Sequence, residues 1–209
     1  MAQNYKVFID GKSLSFRPVH EKSSYIIEEA HFESLTSLMQ IENIFNLTEN
    51  CEIFTDNPRR EFRKFKKHFH FLKAAGGIVK FDDKYLFIKR MDKWDLPKGK
   101  IEHQEKTKNA AIREIYEECQ LEGQYIVSKI CNTYHTYSLN DKNILKKSSW
   151  YYLKVKEVNF NLLKPQLEEG ITEIRWFTLE EFEQVMENTF ESIKIVLDEF
   201  LKIQQFESK

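Results

Sequence analysis

The stretch Gly99–Leu121, GKIEHQEKTKNAAIREIYEECQL, decides how the rest of the chain is read. On a helix turning ~100° per residue, Glu114, Glu117 and Glu118 fall within an arc of roughly 100°, with Arg113 on one flank. Ile112, Ile115 and Cys119 lie opposite and give the helix a stripe to bury, which aims the acidic face in one direction. A solvated face is the ordinary fate of clustered glutamates. Here like charges three and four residues apart repel by ~0.2–0.5 kcal/mol a pair, and no lysine stands four residues after any of the three. A divalent cation reverses that sign. Mg2+ takes oxygen ligands and keeps several waters, which suits carboxylates open to a phosphorylated substrate.

The spacing of Gly99, Glu105, Arg113, Glu114, Ile115, Glu117, Glu118 and Leu121 resembles the signature of the Nudix hydrolases, and Leu96-Pro97-Lys98 ahead of it looks like the family too. The one departure is Gln120, where the family has Gly. A glycine there eases a left-handed helix end, so the helix is expected to run on toward Gly123. The resemblance implies an α/β fold: an α/β/α sandwich with a mixed sheet over residues 72–209, preceded by a small α+β module over residues 1–71.

The resemblance also implies a chemistry. Mg2+, or Mn2+, would be held by Glu114, Glu117 and Glu118, with Glu105 and the backbone at Gly99 approaching it. The ion would neutralise phosphoryl oxygens, orient in-line attack and lower the pKa of a bound water. The general base comes from different places in different family members: Glu114, or a loop glutamate, for which Glu168 and Glu169 are candidates. Arg113 is expected to fix the carboxylates by bidentate hydrogen bonds. The implied substrate is a nucleoside diphosphate linked to a further group.

Lys89, Arg90 and Lys98 stand near the loop that faces the phosphates, while His135, Tyr137, Lys146, Lys147 and Trp150 offer stacking and cationic groups after the box. A tyrosine at about the place of Tyr137, and no proline between the box and Pro165, resemble the enzymes that cut dinucleoside polyphosphates more than the ADP-ribose pyrophosphatases. The Leu-Pro-Lys-Gly-Lys run leans the same way. The alternatives are a pyrophosphatase that clears ordinary or oxidised dNTPs, an ADP-ribose pyrophosphatase, and, from another class, a nucleotide-sensing module that binds nucleic acid or protein.

The 209 residues, 41% apolar and 31% charged, suffice for one full domain and a smaller one. The net charge of −1 argues against a dedicated nucleic-acid binder but not against a local patch. With no apolar run long enough for a leader or a membrane span, the expectation is a cytoplasmic protein, and a homodimer is compatible with it. Cys51, Cys119 and Cys131 are scattered without paired spacing, which speaks for reduced thiols.

Along the chain, residues 4–19 alternate around Asp10-Gly11 and predict a hairpin. Tyr25-Ile26-Ile27 suggests a short strand, Phe32 to Phe45 helical turns, and Glu52–Thr55 a strand. Pro58 opens a helix to about His68. On it Phe62, Phe65 and Phe69 form a stripe to bury, and Arg59, Arg60, Arg63, Lys64, Lys66 and Lys67 take the outer face, as solvated charge or as a contact for nucleic acid, polyphosphate or a partner. Strands are expected at Ala74–Val79 and Lys84–Arg90, joined at Asp82-Asp83. Thr107 is read as the N-cap of the box helix, with Ala110 and Ala111 allowing close packing. Strands follow at Tyr125–Cys131, Thr133–Ser138, Ser148–Lys156 and Glu173–Phe177, with a turn at Asn140–Asn143 and a loop from Leu167 to Gly170. Thr178 and Glu181 form a capping box, and a final helix covers about 188–206.

Overall fold

The computed structural model describes residues 5–9, 11–19 and 50–207. The expected strand at Tyr25–Ile27, the helical turns from Phe32 to Phe45 and residue Asp10 lie outside the described residues. The chain divides into two compact units, residues 1–72 with 134–146, and residues 73–133 with 147–209.

In the first unit, β1 (Tyr5–Ile9) and β2 (Lys12–Pro18) form an antiparallel hairpin whose turn passes through Gly11 at φ +82°. That left-handed value is why glycine stands there. β3 (Cys51–Thr55) pairs parallel with β2, and Val7 to Ile9 pair parallel with Tyr134 to Thr136. α1 (Pro58–Lys66) starts on Asn57, whose side chain accepts the Arg60 N–H at 2.9 Å. Alternate strand residues Tyr5, Val7, Leu14, Phe16, Cys51 and Ile53 face one way and bury Phe62, Phe65 and Phe69. Phe62 stacks on Tyr5 with centroids 4.4 Å apart.

The second unit is built on β4 (His70–Phe81), β5 (Lys84–Arg90), β9 (Lys142–Lys154), β8 (Tyr125–Leu139) and β10 (Ile171–Thr178), in the order β10-β5-β4-β9-β8, and the ends of β4, β8 and β9 also supply residues of the first unit. β6 (Lys93–Asp95) adds to β5, and β7 (Lys98–Lys100) to β4. Its helices are α2 (Thr107–Cys119), α3 (Phe182–Glu187) and α4 (Glu191–Glu207). The central strands β4, β5 and β9 are buried on both faces over much of their length, and alternation sorts the side chains. Tyr85, Phe87, Trp150 and Tyr152 meet Phe182, Val185, Ile193, Leu197 and Phe200 from α3 and α4. Leu86, Ile88, Tyr151 and Leu153 meet Ala110, Ala111, Ile115 and Cys119 from α2. Helices on both faces of the sheet make this unit an α/β/α sandwich.

Several local expectations are corrected. β8 is one strand, not two, because Asn132 stays in the ladder with its side chain accepting from Ser149 Oγ at 3.0 Å. The turn after it is only Asn140-Asp141, both left-handed, and β9 starts at Lys142, well before Ser148. The residues 167–170 contain a short 3-10 turn, Leu167–Glu169. Thr107 is not a cap: the helix flank is Lys106, which makes no side-chain cap. The expected Thr178–Glu181 capping box does not form, because the helix starts at Phe182 with Glu181 as its flank and no side-chain cap, although Glu181 accepts the Thr178 N–H at 2.8 Å. Trp150 is 1% exposed and donates its indole N–H to Thr133 at 2.8 Å, so it packs the core instead of stacking on a ligand. Lys66 is half-buried over the Phe71 ring instead of facing outward. The three cysteines are free, two of them buried. Among the described residues no helix is long and apolar enough to cross a membrane.

Candidate active site

α2 is oriented by what it buries. Ala110, Ala111, Ile115 and Cys119 are fully enclosed against the sheet, and the two alanines let the helix approach closely. This rotation carries Glu118 to 2% exposure and Glu114 to 9%, and leaves the Glu117 side chain 43% exposed. The acidic face is therefore mostly interior, not a solvent-open face, because the stripe that anchors the helix is wide enough to take two of its glutamates down with it.

Two devices hold the carboxylates. Arg113 is the first. Its Nε and Nη2 donate to the two oxygens of Glu105, each at 2.9 Å, its Nη1 to Glu114 Oε1 at 2.8 Å and Glu117 Oε2 at 2.7 Å, and Nη2 also to the Lys100 carbonyl at 2.9 Å. The fork geometry of guanidinium permits this; a lysine could not span three carboxylates in fixed directions. Glu105 is held below the ordinary carboxylate range mainly by this pair, and Arg113 is raised in return. Both Glu105 oxygens are thereby engaged, and Oε2 also accepts the Glu102 N–H at 3.0 Å.

The second device is the segment before the helix. The Lys98 N–H donates to Glu118 Oε2 at 2.9 Å. The Lys98 ammonium, expected to face substrate, instead reaches Asp95 Oδ2 at 2.7 Å; Asp95 is 1% exposed, accepts the Leu96 N–H at 2.8 Å and lies 3.7 Å from Arg90 Nη2. Two glycines bring this segment in. A Cβ on Gly76 would overlap the Pro97 carbonyl, and one on Gly99 would fall inside the Glu114 carboxylate, so β7 lies directly on the acidic helix only because neither has a side chain.

The helix end is completed from afar. α2 stops at Cys119, and Gln120 itself takes the left-handed conformation, φ 54° and ψ 30°, so the expected extension to Gly123 does not occur. The carbonyls left open there are met by the Gln166 N–H, at 3.1 Å from Glu118 O, and the Lys164 N–H, at 3.2 Å from Cys119 O. This ties down the segment that carries Glu168 and Glu169. Both are exposed, and the charge of Glu169 is felt at Glu114.

Burial pushes Glu118 up to about 7, opposed by Lys98 and reinforced by the nearby charges of Asp95 and Glu114. Glu114 is raised as well, first by burial, against the pull of Arg113. Among the described residues no three carboxylates, histidines or cysteines are already gathered around a metal-sized point. Three glutamates of the helix are each held by one oxygen, two by Arg113 and one by the Lys98 N–H. Glu114 gives Oε1, Glu117 Oε2 and Glu118 Oε2, which leaves one oxygen of each for a cation. The set is all hard oxygen, two of its members are buried with too little counter-charge, and a divalent ion fits that need.

Of the other sequence candidates, Arg90 has a buried Nε without a hydrogen-bond partner, and Lys89 lies over the Trp94 ring at 5.7 Å. His135 and Tyr137 belong to the first unit, on β8, with ring centroids 5.7 Å apart and Tyr137 half-buried. Sequence reasoning missed Asp95. Its signal was its position between Trp94 and Leu96, an apolar setting that a carboxylate tolerates only with partners.

The family model described as the NUDIX domain matches residues 70–198. The chain belongs to the Nudix family. As a Nudix hydrolase it joins a family that works with divalent metal ions. Among solved structures, an Ap4A hydrolase from C. elegans is 21% identical with a TM-score of 0.49 and covers 64% of this chain and 98% of its own. A MutT Nudix hydrolase from Burkholderia pseudomallei is 20% identical with a TM-score of 0.47, over 62% and 98%. A bifunctional NMN adenylyltransferase/ADP ribose pyrophosphatase from Francisella tularensis, solved with AMP and a Mn ion, is 16% identical with a TM-score of 0.47; this chain spans 44% of it. Likenesses of this degree do not speak to substrate.

Proposed function

We propose that this Nudix hydrolase cleaves the diphosphate bond of a nucleoside diphosphate carrying a further group, with dinucleoside polyphosphates first among its substrates. The observation that carries the reading is the Arg113 fork across Glu105, Glu114 and Glu117, set beside a buried Glu118 that the Lys98 N–H orients. In it Glu114, Glu117 and Glu118 hold Mg2+ or Mn2+, which when bound supplies charge neutralisation of phosphoryl oxygens and acidifies water.

Glu105 serves through Arg113, since both its oxygens are engaged, and Gly99 lets the backbone lie against Glu114. Glu169, whose charge is felt at Glu114, is the first candidate proton acceptor on the tethered segment, with Glu168 beside it; Glu114 is the other. Arg90 and Lys89 meet substrate phosphate, the unpartnered Arg90 Nε supporting that role. Lys98 acts through Asp95 and Glu118, not on substrate. The preference for dinucleoside polyphosphates rests on Tyr137 and on the absence of proline between Leu121 and Pro165.

The test is phosphate release with Mg2+ or Mn2+ from diadenosine polyphosphates, dNTPs, ADP-ribose, diphosphoinositols and 5′-triphosphate RNA, with Glu118→Gln as the blank. Metal-dependent release from a diadenosine polyphosphate above the others is expected. A preference for dNTPs or ADP-ribose overturns the substrate, and no release above the blank from any overturns the activity.

A further inference from the structure

Between Asp56 and His70 the sequence carries six lysines and arginines against two carboxylates, in a chain whose net charge is −1. Six of the 32 lysines and arginines thus fall on one short segment, and folding sorts them further. Phe62, Phe65 and Phe69 turn inward onto the first unit's strands. Glu61 is 2% exposed and holds Arg60 at 2.9 Å and Lys64 at 3.0 Å from the inner edge, while the outer parts of both basic side chains stay more than half exposed. Arg59, Arg63 and Lys67 are left. They are exposed, spaced by four, and among the described residues no carboxylate pairs with them.

Residues four apart lie in one row along a helix, about 6 Å from one to the next. That step is of the order of the separation between successive phosphates of a sugar–phosphate strand. A single row matches one strand and not the two phosphate rows of a duplex. The inward phenylalanines leave the basic face without the apolar side chains that a helix lying in a lipid interface inserts. They also leave it without rings for bases to stack on, which makes recognition sequence-independent.

We propose that the row Arg59, Arg63 and Lys67, flanked by Arg60 and Lys64, binds the phosphate backbone of a single-stranded nucleic acid. This surface is separate in sequence from the acidic helix, so it stands or falls independently of the hydrolase chemistry.

The experiment is fluorescence anisotropy of the full chain with a labelled mixed-sequence single strand of roughly 20 nucleotides, titrated from about 50 to about 200 mM salt. Three phosphate contacts give a log–log salt slope of roughly −2, at ~0.7 per contact. The triple variant Arg59→Gln, Arg63→Gln, Lys67→Gln keeps helix propensity. It is expected to bind about tenfold or more weakly with a flattened slope, at unchanged melting temperature and unchanged hydrolysis of small substrates. Should the triple variant unfold, Arg63→Gln alone reads out as a slope smaller by about 0.7. No binding at the lowest salt, equal binding by a folded variant, or equally tight binding to vesicles of anionic lipid each overturns the proposal.

Discussion

Replacing Glu118 by Gln should make the metal-free protein more stable at pH 8 while removing its hydrolase activity. The carboxyl of Glu118 sits at about 7 in the folded chain against an ordinary 4.5, chiefly through burial. A raised carboxyl favours folding below 4.5, where both states are protonated, and this stabilisation is lost as the pH climbs through 7. At ~1.4 kcal/mol for each pH unit between the two values, wild type forfeits up to about 3 kcal/mol by pH 8. Glutamine forfeits none, and its carbonyl can still accept the Lys98 N–H. For a chain of this size ~3 kcal/mol corresponds to roughly 6–12 °C in melting temperature. The assay is thermal or urea unfolding in EDTA at pH 5 and pH 8 for both proteins. The variant should gain on wild type at pH 8, and the gap should shrink at pH 5. Added Mg2+ should raise wild type alone, since a cation supplies the missing counter-charge. A gain that is the same at both pH values, or a loss at pH 8, would refute the argument from burial.

Three further substitutions probe the framework. Gly99→Ala places a methyl inside the Glu114 carboxylate and should cost about 1–3 kcal/mol together with most of kcat, readable by urea unfolding and steady-state kinetics; wild-type behaviour in both would mean β7 has room to retreat. Asp95→Asn leaves the Lys98 ammonium, whose side chain is only 10% exposed, without its counter-charge, and should destabilise by about 3–5 kcal/mol in denaturant melts, whereas a change under about 1 kcal/mol would show the pair to be ornamental. Gln120→Gly relieves a left-handed non-glycine residue and should raise stability by up to about 1 kcal/mol with activity intact; a loss of stability would mean that the side chain, 3.4 Å from the Tyr116 carbonyl, contributes more than the strain costs.

The parts legible in the sequence are those where one local rule acts alone. Leu86 and Ile88 alternate with Tyr85 and Phe87, so β5 announces both its period and its two buried faces. Gly11 sits where a left-handed turn is needed, and Phe62, Phe65 and Phe69 repeat as a helix buried on one side must. The illegible parts are those where a distant partner overrides the local preference. Asn132 reads as a break in a strand, yet it stays in the ladder, its side chain accepting from the Ser149 hydroxyl. Thr107 has the residue type of a cap, but the helix already includes it and its flank falls on Lys106. Gln120 has no business in a left-handed position by propensity, yet the backbone of residues 164–166 fixes the helix end there. At the site, the grouping of Glu114, Glu117 and Glu118 with Arg113 could be read from spacing. That Glu114 and Glu118 are buried, and that Asp95 and Lys98 stand behind them, depends on how β7 lies against the helix, which no pattern along a single segment encodes.

The tether from Lys164 and Gln166 to the end of α2 also bears on how the protein comes into being. The carbonyls of Glu118 and Cys119 find their partners only in chain made well after the helix itself. During synthesis, a nascent polypeptide stopping short of residue 164 therefore carries an acidic helix whose last turn is unfinished. The segment whose backbone completes that turn also carries Glu168 and Glu169, so a chain ending before residue 164 lacks both.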